Sequence, residues 1–199
     1  MFNFFKENKT EEQDHWESFR GKGNSNEGLA EKAKILAAVI VDWTRAGTLQ
    51  LIEYLEKDAE DQKPKDKFVE IFLESVILYV HFADRIASQL LKTNQRDFFM
   101  NALINEVTNI FSESQPTEEQ KELATSIIGD LYNERQSEYG NYKMAAEENE
   151  GLGSTLFWEF GKKIANIVGF ERDTITVFQA QVCIVGGLKF LQLSKLFEE

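Results

Sequence analysis

The chain has 199 residues, of which 42% are hydrophobic and 12% aromatic, which is enough apolar area for one domain with its own core. Its 22 Lys and Arg and 34 Asp and Glu give a net charge of −12, a field that repels nucleic-acid phosphates and anionic lipid headgroups. A single cysteine excludes an internal disulfide, and the N-terminus lacks the long apolar run of a signal peptide. We therefore expect a cytoplasmic protein that binds neither nucleic acid nor a membrane.

The first part of the chain predicts a flexible tail followed by a helical domain. Residues 1–26 are polar for most of their length and end in a stretch rich in Gly and Asn, which favours a loop. A helical-bundle domain is predicted over residues 27–199. From Glu27 onward, apolar residues recur at three- and four-residue steps, which predicts a first helix. Gly47 predicts a break or kink in it, with a short amphipathic continuation beyond.

The next segments alternate between helix and connection. The charged run 57–67 contains Pro64, which disfavours helix at the preceding residue, and predicts a linker. Residues 68–91 contain neither Gly nor Pro and give the strongest helix prediction. Asn94 is then expected to cap a third helix that ends near Pro116.

A capping motif predicts where the fourth helix begins. The hydroxyl of Thr117 and the side chain of Gln120 have the spacing of a capping box, and the helical pattern beyond them is expected to run to Gly151. Ser154 is expected to start a fifth helix, which Gly169 closes.

Residues 174–197 form the last predicted element. Their β-branched residues are compatible with a strand, but no second strand exists to pair with them, so a helix is predicted. The scarcity of proline and the repeated helical spacing together predict an all-α fold, a single irregular helical bundle of about six helices.

The helix at 66–92 has a narrow polar stripe on an otherwise apolar surface. At about 100° per residue, its polar side chains fall on or near one face. They are Lys67, Glu70, Glu74, His81, Asp84, Arg85, Ser88 and Lys92. One interpretation is a solvent-exposed edge, since charged residues are seldom buried without partners. The other is a ligand-binding crevice between helices, in which Arg85 offers a donor fork to a carboxylate or phosphate. The candidate ligand-binding residues are then Glu70, Glu74, His81, Asp84 and Arg85.

His81 stands at the centre of the second interpretation, as a proton shuttle or a metal ligand. Two histidines and one cysteine exclude di-iron and structural zinc sites, but a single metal held by Glu74, His81 and a carboxylate from another helix stays open. The sequence predicts no particular cofactor. The pKa of His81 is expected to depart from about 6.5 in a direction set by its nearest neighbours.

The last helix is apolar in every angular sector, which leaves it without a solvent face. Either it passes through the centre of the bundle or one of its faces contacts another chain. The second option predicts a homodimer through the helix at 174–197, with Phe190 and Phe197 facing outward.

No catalytic motif is present in the sequence. Two functional hypotheses follow. The first is a non-enzymatic protein-interaction or assembly module that self-associates, and the second is a bundle that binds a small ligand or metal ion through Glu74, His81 and Arg85.

Overall fold

The structure, a computed structural model, describes Trp16 and residues 23–56, 64–144, 155–170 and 173–198. These residues form six α-helices and no named strand, which confirms the predicted all-α bundle. The helices are α1 (Asn26–Glu56), α2 (Phe68–Leu90), α3 (Thr93–Glu113), α4 (Glu118–Tyr139), α5 (Leu156–Ile167) and α6 (Thr174–Leu191). The 3-10 helix Pro64–Lys67 precedes α2, and a second 3-10 helix, Leu193–Phe197, follows α6.

Helix α2 lies in the middle of the bundle. It contacts α1, α3, α4 and α5, and its residues from Ile71 to Ala83 are buried except for Leu73, which is half-buried. Helix α1 packs on α3 and α6 on its other sides, and α5 packs on α6. The apolar surface predicted for the helix at 68–91 is therefore covered by its neighbours on nearly every side.

Helix α1 is a single helix of 31 residues, so of the predicted break or kink at Gly47 the break is wrong. A glycine inside a helix costs only about 1 kcal/mol relative to alanine. Beyond Gly47 the helical phase continues and buries Leu51, Ile52 and Leu55. Each buried leucine or isoleucine contributes about 1.5–3 kcal/mol, so packing outweighs the glycine.

The predicted start of α3 is also wrong, because the helix begins at Thr93 and Asn94 lies inside it. Lys92 has extended backbone geometry, and its N–H donates to Gln95 Oε1 at 3.2 Å. The predicted start of α4 is confirmed, because Thr117 Oγ1 accepts from the N–H of Gln120 at 3.2 Å.

Helix α4 ends at Tyr139 and does not continue to Gly151. Gly140 closes it, with its N–H donating to Gln136 O. Residues 145–154 lie outside the described residues, and so does Ser154, the predicted start of α5. The described cap of α5 is Thr155, whose side chain accepts from the N–H of Trp158.

The segment after residue 174 is helical, as predicted, but α6 ends at Leu191 instead of reaching residue 197. Asp173 caps it by accepting from the N–H groups of Ile175 and Thr176. Gln192 then takes left-handed geometry, with φ of +42°, which turns the chain into the last 3-10 helix.

The two phenylalanines expected to face outward from this helix face the core instead. Phe190 stacks on Trp43 of α1 with ring centroids 4.0 Å apart. Phe197 is buried and meets Phe99 of α3 edge to face. The turn at Gln192 accounts for Phe197, because it moves Phe197 off the helical phase on which the expectation was based.

Part of the predicted tail and part of the predicted linker lie outside the described residues. Within the tail, Trp16 is described and is buried, and its indole N–H donates to Leu191 O at 2.7 Å. Residues 23–25 lead directly into α1. Of the linker 57–67, the last four residues form the 3-10 helix Pro64–Lys67.

Helix α1 and the segment Thr174–Phe197 are long and apolar enough to cross a membrane, judged by length and composition. Core helices of soluble proteins satisfy the same two criteria. In this bundle 44% of each apolar window is buried within the chain itself. This finding is weak evidence for a membrane, and the predicted cytoplasmic location stays a prediction.

Candidate functional site

The middle of the polar stripe of α2 is covered by α4, and its ends are open to solvent. Glu74 and His81 are each 3% exposed, whereas Glu70, Ser88 and Lys92 are exposed. The interpretation of the stripe as a solvent edge therefore holds only at its two ends.

Glu74 forms a buried ion pair with Arg135 of α4. Arg135 Nε donates to both carboxylate oxygens, at 2.8 and 3.0 Å, and the hydroxyl of Tyr139 donates to Oε1. Arg135 also donates to the carboxylates of Glu134 and Glu138. The cost of burying the Glu74 carboxylate is thus offset by a cation and three hydrogen bonds.

The environment keeps both partners of Glu74 protonated. Burial lowers the pKa of Arg135, but the hydrogen bonds to Glu74 and Glu134 and the charges of Glu74 and Glu138 together outweigh burial, and the pKa is raised overall. Burial also raises the pKa of Tyr139, and the negative charge of Glu74 raises it further. At neutral pH Arg135 is therefore a cation and Tyr139 a neutral hydrogen-bond donor.

His81 uses both ring nitrogens within the bundle. Arg85 Nε donates to His81 Nε2 at 2.7 Å, and His81 Nδ1 lies 2.7 Å from Gln136 Oε1. Because a guanidinium nitrogen always carries its hydrogen, Nε2 must be the acceptor. We therefore assign the neutral tautomer in which Nδ1–H donates to Gln136.

Arg85 binds the C-terminal end of α4. Its Nη2 donates to the carbonyl oxygens of Tyr139 and Tyr142, at 2.7 and 2.8 Å. Carbonyls at a helix C-terminus lack partners within the helix, and a cation there interacts favourably with the helix dipole. The donor fork predicted for a ligand is therefore partly occupied by the main chain at the end of α4 and in the turn that follows it.

The remaining candidate residues have other partners. Arg96 of α3 donates from Nε and Nη2 to the two oxygens of Asp84, each at 2.8 Å, which joins α2 to α3. The hydrogen bonding of Arg96 to the Asp84 carboxylate raises the pKa of Arg96. Glu70 lies at the surface and pairs with Lys67 at 2.8 Å.

Three of the five candidates line one open cleft between α2, α3 and α4. Its lining residues are His81, Asp84, Arg85, Arg96, Asp97, Met100, Asn101, Tyr132, Gln136 and Gly140. Glu74 lies apart from this cleft beneath Arg135, and Glu70 lies at the surface. The structure therefore brings His81, Asp84 and Arg85 together and separates the two glutamates from them.

The single-metal hypothesis receives no support from this arrangement. Nowhere in the described ranges do three or more His, Cys, Asp or Glu side chains come close enough to hold a metal ion. Glu74 and His81 form hydrogen bonds with different residues of α4, and both nitrogens of His81 are engaged.

Arg96, Arg135, Gln136 and Tyr139 were not among the predicted site residues. The last three follow the i, i+1, i+4 spacing that places side chains on one face of α4. This spacing indicates that the three side chains share one face of the helix. It does not indicate that this face packs on α2, because α4 is polar on most of its surface and its other faces look alike in sequence.

Comparison with models of protein families, with curated proteins and with solved structures found no match. The fold and the site together define the chain as an all-α helical bundle with a buried polar network between its central helix and α4.

The state of His81 predicts a pH dependence of stability. Burial lowers the pKa of His81, the charge of Arg85 lowers it further, and the hydrogen bond to Gln136 and the charge of Asp84 oppose the shift. The unfolded chain then binds a proton at His81 more readily than the folded chain. The free energy of unfolding should therefore fall as the pH drops below about 6.5 toward the lowered pKa.

Urea unfolding between pH 7.5 and 5 measures this dependence. The variant His81→Gln should lose the part of the slope that begins near pH 6.5, whereas His15→Gln, which changes the second histidine, should keep it. Equal slopes for His81→Gln and the unmodified protein would contradict the assignment.

Proposed function

We propose that this chain is a protein-interaction module that self-associates through one face of α6. The observation that carries the proposal is a row of apolar side chains at steps of three, four and three residues, namely Ile175, Phe178, Val182 and Val185. Ile175 is 60% exposed, Phe178 56% and Val185 39%. We call this row the outer face of α6.

The spacing of the outer face suits pairing with a second helix. Apolar residues at alternating steps of three and four form a seam along a helix, and two such seams pack side by side. In an antiparallel pair, Ile175 lies beside Val185 of the second copy and Phe178 lies beside Val182. The face is therefore complementary to itself, as a two-fold symmetric interface requires.

Charge limits the surfaces through which a second copy of the chain can bind. Two molecules with a net charge of −12 repel each other wherever their carboxylates come close. Helix α6 contains no Asp or Glu, whereas each of α1 to α5 contains at least one. Among the helices, repulsion between the carboxylates of two copies is therefore weakest where the outer faces of their α6 helices contact each other.

The alternative function, a ligand or metal site formed by Glu74, His81 and Arg85, has less support. Each of these side chains already binds residues of α4. A ligand would have to displace those partners, and an unpaired buried charge costs several kcal/mol, of order 3–5.

The substitution Phe178→Glu should convert a dimer into a monomer. It places a carboxylate in the middle of the proposed seam, opposite its own copy. Sedimentation equilibrium should give about twice the chain mass of 22.9 kDa for the unmodified protein and the chain mass for the variant.

Leu123→Glu is the matched control, because Leu123 on α4 is 59% exposed, close to the value for Phe178. This variant should stay dimeric. The proposal fails if the unmodified protein is monomeric at high concentration, or if both variants dissociate alike. Binding of the monomer to neutral phosphatidylcholine vesicles would point instead to a membrane as the partner of this face.

A further inference from the structure

A small cavity lies where α1, α2, α5 and α6 meet, away from the polar network and from the outer face of α6. Its volume is about 20 Å³. Its lining residues are Trp43, Thr44, Gly47, Thr48, Leu51, Ser75, Tyr79, Phe160, Ala180, Cys183 and Ile184. Trp43, Gly47 and Cys183 are half-buried, and the other lining residues are buried.

Two threonine hydroxyls in the cavity wall have unmet hydrogen-bonding capacity. Thr44 and Thr48 are each 3% exposed and lie one turn apart on α1. Neither Oγ1 has a hydrogen-bond partner among the residues that the structure describes. Buried hydroxyls without partners are rare in folded proteins, because each one costs about 1–3 kcal/mol.

The same wall offers further acceptors. Ser75 Oγ donates to Ile71 O at 2.8 Å, and Tyr79 Oη donates to Ile184 O at 3.3 Å. Tyr79 Oη also accepts a hydrogen bond from the indole N–H of Trp43. Ser75 Oγ keeps lone pairs that can accept another hydrogen bond.

All the lining residues are uncharged at neutral pH. None of them is Asp, Glu, Lys, Arg or His. Burial raises the pKa of the Cys183 thiol to about 11, so the thiol stays protonated. A charged ligand would lie here without a counter-charge, which is costly in a low-dielectric interior. The site therefore selects a neutral molecule.

We propose that this cavity is a binding site for one water molecule, held by the hydroxyls of Thr44 and Thr48. A cavity needs about 10–15 Å³ to hold a water and two to four polar partners to retain it, and this one meets both requirements. The water gives each threonine its missing partner and connects α1 to the acceptors on α2.

The test uses the full chain with labelled methyl groups. Nuclear Overhauser cross peaks from water to the methyl groups of Leu51 and Ile184 should appear, with the sign of a long-lived bound water. Because the side chains of Leu51 and Ile184 have no exchangeable proton of their own, they cannot themselves exchange hydrogen with the solvent. The double substitution Thr44→Val with Thr48→Val removes both hydroxyls and should abolish these cross peaks.

Thr125→Val is the control, since Thr125 is an exposed threonine of α4, far along the chain from the cavity. It should leave the cross peaks unchanged. If the double variant does not fold, the single variants carry the test, and each should weaken the cross peaks.

A high-resolution crystal structure checks the site independently. It should contain a single-atom density peak within hydrogen-bond distance of both threonine hydroxyls. Absence of both the cross peaks and the density peak in the folded protein would overturn the proposal, and so would density for a larger organic molecule.

Discussion

Replacing Arg135 by leucine is expected to lower the free energy of unfolding by about 3–5 kcal/mol. The substitution leaves the carboxylate of Glu74, whose side chain is only 4% exposed, without its cation. The Tyr139 hydroxyl alone cannot compensate a buried charge. Urea denaturation at pH 7 measures the loss.

Lys121→Leu is the matched control for Arg135→Leu. Lys121 also lies on α4 and pairs with Glu118, but this pair is exposed to solvent. Its loss should change the free energy of unfolding by no more than about 1 kcal/mol. The double variant Glu74→Leu with Arg135→Leu should recover part of the stability, because it removes the buried charge as well. Equal effects of Arg135→Leu and Lys121→Leu would contradict the assigned role of the buried pair.

The substitution Gly161→Ala should destabilise the bundle by about 1–3 kcal/mol. A Cβ at Gly161 of α5 would lie 2.6 Å from the carbonyl oxygen of Val177 and 2.8 Å from its Cγ1, so α5 and α6 would have to move apart. The gain in helix propensity from glycine to alanine, about 1 kcal/mol, is smaller than this cost. Thermal unfolding measures the change.

Gly129→Ala provides the comparison, because a Cβ at Gly129 of α4 meets no atom within 4 Å. At this position the substitution changes the helix propensity without a steric clash, so the variant should be about 1 kcal/mol more stable than the unmodified protein. A stabilising effect of Gly161→Ala would show that α5 and α6 are not in the close contact described.

The helices were predictable because the interactions that form them are local. The apolar spacing within residues 68–91 and the cap formed by Thr117 and Gln120 depend on residues at most four positions apart. The errors occurred at boundaries such as Gly47, where packing of the distant half of α1 outweighs a local preference.

The candidate site was predictable in part. The sequence placed Glu74, His81 and Arg85 on one face of a buried helix, and that face does carry the buried polar network. Their partners were not predictable, because Arg135 and Gln136 lie 61 and 55 residues away from the side chains they bind. Only the docking of α4 on α2 brings them together.

The sequence by itself determined that the chain is all-α, that the helix at 68–91 is apolar over most of its surface, and that its polar residues share one side. The tertiary structure alone decided which of those residues are buried and which face of α6 stays exposed. Periodicity reveals the face of a helix only when its polar and apolar residues are on different sides. In α6, which is apolar all round, and in α4, which is mostly polar, the choice depends on contacts with distant segments.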